Sequence, residues 1–261
     1  MLKITSLQND RVRRVRMLQR SARRRRREGL MVAEGLRLVR EALRSGLALT
    51  EAFYTETFVT EVPGRALVDA LASLMVPLYE VPPQVMAALS DTETPQGILV
   101  VLPLPDWPIV EDATLTLVPD SVRDPGNLGT MLRAAWAMGW ERVLIPPGTV
   151  DPTNPKVVRA GMGAHFSLPV HQVSWETVGT LIAGSAVWLA QAGAGAAYDA
   201  VNWRQPVALI IGGETEGVGA EARALPGSRF VYIPMASGVE SLNAAVAASI
   251  LLCEAARQRR M

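Results

Sequence analysis

The sequence predicts an α/β protein in two parts, with a parallel sheet in the second part. Two observations carry this expectation. Apolar runs of strand length alternate with segments whose apolar residues recur at helical spacing, the pattern of βα units. The alternation is interrupted by PLPDWPIVED at 103–112, where Pro103, Pro105 and Pro108 leave little that could extend a helix or pair inside a sheet. The 261 residues, 49% hydrophobic and 20% charged, suffice for sizeable cores and exclude a disordered chain. The longest apolar run, AAVAASILLC at 244–253, falls short of the roughly 20 residues that cross a bilayer, so no membrane partner is expected.

In chain order, residues 1–27 form a basic arm in which Val12, Val15 and Leu18 recur at helical spacing. Residues 28–105 form a small α/β domain. MVAEGLRLVREALRSG reads as a strand entering a helix, because Leu36, Val39, Leu43 and Leu47 keep the 3.6-residue period and Gly46 stands where a helix ends. ALTEAFYT, VPLYEV and GILVVLP read as strands around a helical ALVDALASL and around VPPQVMAALS. Residues 112–261 form the second domain: strand TLTLVPD, helix LGTMLRAAWAMG, strand RVLIPP, a Pro/Gly-broken segment to 163, strand SLPVHQV, helix WETVGTLIAG, strands AVWLAQA, VALIIGG and RFVYIPM, and a final helix over 241–260. Ligands on parallel sheets sit beyond the carboxyl ends of the strands. Here those ends carry VPDSVRDPGN, LAQAGAG, IIGGETEGVG and IPMASGVES.

Charge is divided unevenly along the chain. Residues 1–27 hold Lys3 and ten arginines against Asp10 alone, a surplus of ten, and the remainder carries an excess of nine acidic residues. Arginine binds phosphate bidentately and stacks on bases, so RNA or DNA is the partner this arm suggests, through Arg11, Arg13, Arg16, Arg20, Arg23, Arg24 and Arg27. A solvated helix face or a transit peptide are the ordinary alternatives. Cys253 is the only cysteine and the N-terminus lacks a secretory apolar region, which points to the cytoplasm.

Several chemistries are poorly supported. Neither Lys3 nor Lys156 follows a glycine, so no P-loop is present; no G-x-S-x-G elbow occurs; His165 and His171 lack partners at ligand spacing, and no metal site is expected. The dinucleotide pattern has one weak match, Gly217, Gly219 and Ala222. Three segments remain. In DSVRDPGNLGTMLRAAWAMGW, Asp124 and Pro125 turn the chain, Asn127 stands near a helix start and Arg133 lies further along. In LIIGGETEGVG, Gly212, Gly213 and Gly217 bare the backbone at a strand end beside Glu214 and Glu216. In IPMASGVESLNAAVAASILLCEAAR, a glycine-containing loop enters a helix with Ser241 or Asn243 in capping range. Taken singly, these read as a surface arginine, a tight turn and a helix cap.

In this order and spacing, N-x-G-x₃-R-x-A, G-G-E-x-E-G and I-P-M-x₅-S-L-N closely resemble the three motifs of the SpoU (TrmH-like) family of S-adenosylmethionine-dependent RNA 2′-O-ribose methyltransferases, within the SPOUT superfamily. The likeness covers about 115–257. AEGLRLVREAL and LSDTETPQGILVV resemble the family's N-terminal substrate-binding domain, similar to ribosomal and kink-turn RNA-binding proteins. The residues alone suggest an open sheet, since threaded chains are rare. The resemblance implies instead a C-terminal trefoil knot, a cofactor bent into its loops and a site completed across a homodimer.

The reaction so implied is attack of a ribose 2′-oxygen on a sulfonium methyl, an in-line displacement needing no metal. By motif correspondence the backbone of Gly212, Ile233 and Leu242, with Gly213, Met235 and the turn from Ala190 to Gly193, would hold the cofactor. Asn127, Arg133, Glu214, Ser241 and Asn243 would surround the ribose. Arg133 is a poor base, because a guanidinium with a pKa above about 12 rarely yields its proton. Either it acts so regardless, or it fixes a phosphate and the developing alkoxide while Glu214 or a phosphate takes the proton. The arm and the first domain favour ribosomal RNA of the large subunit, with tRNA as the alternative. A non-catalytic ribosome-assembly protein and a nucleotide-binding oxidoreductase are the other classes considered.

Overall fold

The computed structural model describes residues 2–260. Two compact units result, one built from the residues up to Asp106 together with Thr153–Phe166, the other from Trp107–Pro152 and the residues from Ser167 onward.

The first unit contains β1 (Leu2–Lys3), α1 (Asp10–Arg20), α2 (Ala22–Glu28), β2 (Leu30–Glu34), α3 (Leu36–Arg44), β3 (Glu51–Tyr54), α4 (Val62–Ser73), β4 (Leu78–Glu80), α5 (Pro83–Leu89) and β5 (Ile98–Pro103). Its sheet has the order β1-β4-β3-β5-β2, with β5 antiparallel to both its neighbours and the other pairs parallel. Successive strand residues point to opposite faces, and the two cores follow from that. Met31, Ala33, Ile98, Val100 and Leu102 pack with Leu38 and Val39 of α3 and Leu67 and Leu71 of α4. Leu30, Val32, Leu99 and Val101 pack on the other face with Val85, Met86 and Leu89 of α5 and with Val12, Val15 and Leu18 of α1. The basic segment 1–27 thus supplies β1, α1 and α2 to this unit, and its weak apolar stripe is fully buried.

The second unit opens with β6 (Leu115–Asp120), α6 (Pro125–Ala137) and β7 (Arg142–Ile145). The chain then contributes α7 (Pro155–Gly161) to the first unit, where Val158 and Phe166 enter the core of α3 and α4. The prolines and glycines here predict a broken segment. A helix forms because Asn154 accepts from the Lys156 amide (2.9 Å) and Pro155 takes the first helical position, where a missing N–H costs nothing.

The remaining elements are β8 (Val170–Gln172), α8 (Trp175–Leu181), β9 (Ala186–Ala190), β10 (Ala196–Ala197), β11 (Val207–Gly212), α9 (Ala220–Arg223), β12 (Arg229–Tyr232) and α10 (Ala244–Arg259). The strand order is β10-β12-β9-β11-β6-β7-β8 and every pair is parallel, the α/β arrangement predicted for this half. The proline-rich stretch is anchored from inside. Arg142, fully buried, donates to the carbonyls of Val110, Glu111 and Leu181 and to Thr116 Oγ1. Burial pushes its guanidinium pKa down, and the hydrogen bonds keep the desolvated cation satisfied. No helix among the described residues is long and apolar enough to cross a membrane.

Candidate active site

All strands of the second sheet deliver their carboxyl ends to one edge, and the site is assembled there from three loops. The first follows β6. Buried Asp120 accepts from the Gly219 amide at 2.6 Å and from Ser121 Oγ at 3.1 Å, tying the start of α9 back to the end of β6. The second follows β11. A Cβ at Gly212 would lie 2.1 Å from the carbonyl carbon of Gly217, and one at Gly213 would lie 2.3 Å from the carbonyl oxygen of Ser121, so two glycines are a steric requirement. Gly213 and Gly217 close the loop with a bridge, and Gly217 adopts φ +66°. The third loop, 233–243, joins β12 to α10.

Three polar side chains from distant segments meet at this edge. Asn243 caps α10, its amide oxygen accepting from the N–H groups of Ala245 (2.9 Å) and Val246 (3.2 Å). Its NH₂ therefore points outward and donates to Asn127 Oδ1 at 3.0 Å. Asn127 sits in the first turn of α6, itself capped by Asp124 (2.7 Å to the Asn127 amide), and donates through Nδ2 to Glu214 Oε1 at 2.6 Å. Each amide accepts with oxygen and donates with nitrogen, so the chain has one direction and ends on a carboxylate oxygen. Glu214 is exposed, and its Oε2 carries no hydrogen bond among the described residues.

A cavity of about 580 Å³ opens beside this chain. Ala190, Gly212, Gly213, Ile233, Met235 and Leu242, the residues expected to hold a cofactor, all line it, as do Glu214, Ser241 and Asn243. Its walls are apolar at Ile211, Val231, Ile233, Leu242 and Leu251, and the adjoining strand ends present backbone rather than side chains. Apolar walls, bare backbone edges and a few convergent polar groups suit a nucleoside with a charged tail, so the residues present fit S-adenosylmethionine. Arg133 is not on this cavity. It is exposed, makes no hydrogen bond or ion pair among the described residues, and lies six positions after Asn127, about 120° away around α6. It shares a helix side with Thr130, three residues earlier, which lines a larger and more open groove of about 750 Å³ with Tyr198, Val246, Ile250 and Cys253.

Sequence reasoning missed Asp120 and Arg223, while Gln191 lies within the expected Ala190–Gly193 turn. Arg223 lies outside all three motifs; Asp120 carried a signal, an acidic residue closing an apolar strand just before the DPGN turn.

The candidate RNA arginines divide into two groups. Arg11 pairs with Glu51 at 2.8 Å and stacks over Tyr79, Arg13 pairs with Asp10 at 2.8 Å, and Arg24 pairs with Glu28. Burial raises the Glu28 pKa, but the Arg14 hydrogen bond and the charges of Arg14 and Arg24 outweigh it, and the carboxyl stays below its ordinary range. Arg16, Arg20, Arg23 and Arg27 have no ion-pair partner among the described residues. Arg25, in the middle of the run, is buried and donates to the Leu18 carbonyl (2.7 Å) and to Thr153 Oγ1 (2.9 Å), closing α1 and fastening the inserted segment.

A parallel α/β sheet with a glycine-backed nucleoside cavity and a polar relay at its carboxyl edge is the architecture of a cofactor-binding α/β enzyme. Residues 114–253 match the model of the SpoU rRNA Methylase family, and residues 9–100 match the MRM3-like substrate binding domain. The chain is 35% identical to rRNA methyltransferase 3, mitochondrial, of Mus musculus, over 91% of this chain and 69% of the mouse protein. It is 33% identical to the 23S rRNA (guanosine(2553)-2′-O)-methyltransferase of Bacillus subtilis, over 84% of this chain and 85% of that protein. An AdoMet-bound rRNA methyltransferase structure from Sinorhizobium meliloti superposes with a TM-score of 0.83 at 30% identity, covering 98% of this chain and 97% of that one. The chain belongs to the SpoU rRNA methylase family. It is an RNA methyltransferase that uses S-adenosylmethionine.

Proposed function

We propose that the chain methylates a ribose 2′-hydroxyl of large-subunit ribosomal RNA. The observation that carries this reading is the Asn243–Asn127–Glu214 relay beside the cavity, which joins all three motif segments. S-adenosylmethionine, when bound, supplies an electrophilic methyl on a sulfonium. The residues of the chain then have to align a hydroxyl and relieve it of its proton. Asn127 holds Glu214 through Oε1, so Oε2 stays available to accept from that hydroxyl, and Ser241 and Asn243 flank the cavity mouth. Relatives named for rRNA, one of them for a 23S guanosine 2′-O position, support the substrate class.

The same reading includes a homodimer covering the groove between α6 and α10, whose apolar residues Val246 and Ile250 favour burial. Arg133, on the Thr130 side of α6, would act across that interface on the partner's ribose, which accounts for its separation from its own relay. The C-terminal loops 212–219 and 233–243 would form the trefoil knot. The basic segment, through Arg16, Arg20, Arg23 and Arg27 first and Arg11, Arg13 and Arg24 second, would hold phosphates. A cytoplasmic setting keeps the exposed Cys253 reduced. The test is mapping of 2′-O-methyl positions in host RNA with and without the gene. One large-subunit position should disappear and return with the wild-type chain but not with Asn127→Ala. A lost tRNA position would overturn the substrate assignment, and an unchanged map would overturn the activity.

A further inference from the structure

Of all residues lining the cavity beside the relay, Arg223 alone is cationic. It comes from α9, outside the three motifs, and its position is set on three sides. Nε donates to the Val218 carbonyl at 3.0 Å, Nη2 donates to Gln191 Oε1 at 3.0 Å, and the guanidinium stacks over the Phe230 ring at 5.3 Å. Nη1 makes no hydrogen bond among the described residues. The charged head is thus held at the cavity wall with donor capacity to spare, an arrangement that lowers the entropy lost when an anion is bound. The acids lining the cavity, Glu214 and Glu216, suit the sulfonium and ammonium charges of the cofactor, and Glu216 stands 3.9 Å from Arg123. They leave the carboxylate of the amino-acid tail without a counter-charge other than Arg223.

We propose that Arg223 is the carboxylate anchor of the cofactor cavity, the residue that recognises the amino-acid tail rather than the nucleoside. The inference rests on the S-adenosylmethionine reading above. A purely structural Arg223, bracing Val218 and Gln191, would affect every ligand of the cavity alike. An anchor affects only ligands that bear the carboxylate, and this difference defines the test.

Calorimetry on the full chain, without RNA, would compare S-adenosylhomocysteine with S-adenosyl-3-thiopropylamine, which lacks only the carboxylate. For Arg223→Met the expected result is a loss of about 5- to 20-fold for S-adenosylhomocysteine, the range of a partly exposed charge-assisted hydrogen bond. Affinity for the decarboxylated analogue should stay within about twofold, and Arg223→Lys should recover part of the loss. Equal losses for both ligands, or none for either, would overturn the anchor. Should Arg223→Met fail to fold, wild-type chain binding both ligands with equal affinity would overturn it as well, and a 5-fold or larger preference that fades with salt would sustain it. Wild-type chain that binds neither ligand would overturn the cofactor reading itself, a failure distinct from that of Arg223.

Discussion

The two sheets of this protein are built from similar strands and end in different capabilities. In the first unit β5 alone runs against the other four strands, so the sheet is mixed and one carboxyl end emerges on the opposite edge. In the second unit every strand pair is parallel, and the loops after β6, β9, β11 and β12 gather on one side, where the cavity and the relay lie. What separates the two units is the make-up of the loops at those ends: in the second, Gly212 and Gly213 bare the backbone and Asn127, Glu214 and Asn243 converge. The first unit offers a charged outer surface instead, its α1 and α2 carrying cations whose counter-charges are only partly supplied from within.

The largest effect should come from breaking the second unit's chemistry while sparing its cavity. Arg133→Ala is expected to lower single-turnover methyl transfer at saturating RNA and cofactor by about 100-fold or more, with S-adenosylhomocysteine affinity unchanged, as for an interaction made in the transition state. Arg133→Lys keeps the charge without the planar fork, and high residual transfer would show that bidentate geometry is dispensable. Mixing Arg133→Ala with a cofactor-cavity variant should restore some activity if the site is shared between two copies. A strictly additive mixture would refute the shared site.

Glycine substitutions sharpen the contrast between the units. Gly212→Ala places a methyl 2.1 Å from the Gly217 backbone, and Gly64→Ala, in α4, places one 2.0 Å from the Phe58 carbonyl oxygen. Both clashes are with backbone, so each should cost about 1–3 kcal/mol of stability in denaturant titrations. Only Gly212→Ala should abolish cofactor binding, because only that shift opens the cavity loop. The bulky Gly212→Val would be a poor probe of cofactor contact, since the loop is displaced before any ligand is met.

How far these features could be read from the sequence depends on how local they are. Strand runs, the helix over 244–259 and the glycine-backed cavity loops rest on period, turn residues and motif spacing, and they were legible. The choice of Asn243 over Ser241 as the α10 cap needed the fold, because both stood in range. The partition of the arginines was not legible: Glu51 lies 40 residues from Arg11, and Thr153 lies 128 residues from Arg25. Nor was Arg223, whose partner Gln191 is 32 residues away in the loop after β9. Isolated charges in sequence carry no sign of whether a counter-charge will reach them.

A smaller effect tests that partition. Converting Arg20, Arg23 and Arg27 to glutamine should weaken RNA binding and reduce the slope of log affinity against log salt by about 2–3, roughly 0.7–0.9 for each phosphate no longer neutralised. Arg14→Gln should leave the slope nearly unchanged and lower stability instead, because Glu28 loses its 2.7 Å partner. Equal slope changes in the two variants would show that ion pairing within the unit does not restrain those side chains from RNA.

The smallest effect is a pH dependence shared by both units through different helices. Glu28 in α2 and Glu254 in α10 are each held below the ordinary carboxylate range, Glu254 chiefly by the Arg257 hydrogen bonds at 2.8 Å, with Gln258 at 2.8 Å adding to them against the cost of burial. A carboxyl whose pKa is lower in the folded chain binds fewer protons there than in the unfolded chain. The stabilisation is therefore complete above the unfolded value of about 4.3 and is lost as pH falls through the lower folded value. Denaturant midpoints measured from pH 6 to pH 3 should fall below about pH 4.5. Glu254→Gln should start lower at pH 6 and fall less steeply, converging on the wild-type midpoint at pH 3, because its amide keeps the shape without the titration. A Glu254→Gln profile parallel to wild type would mean that the α10 pair contributes nothing to folding in this range, leaving Glu28 as the acid-sensitive link and the first unit as the one that acid loosens first.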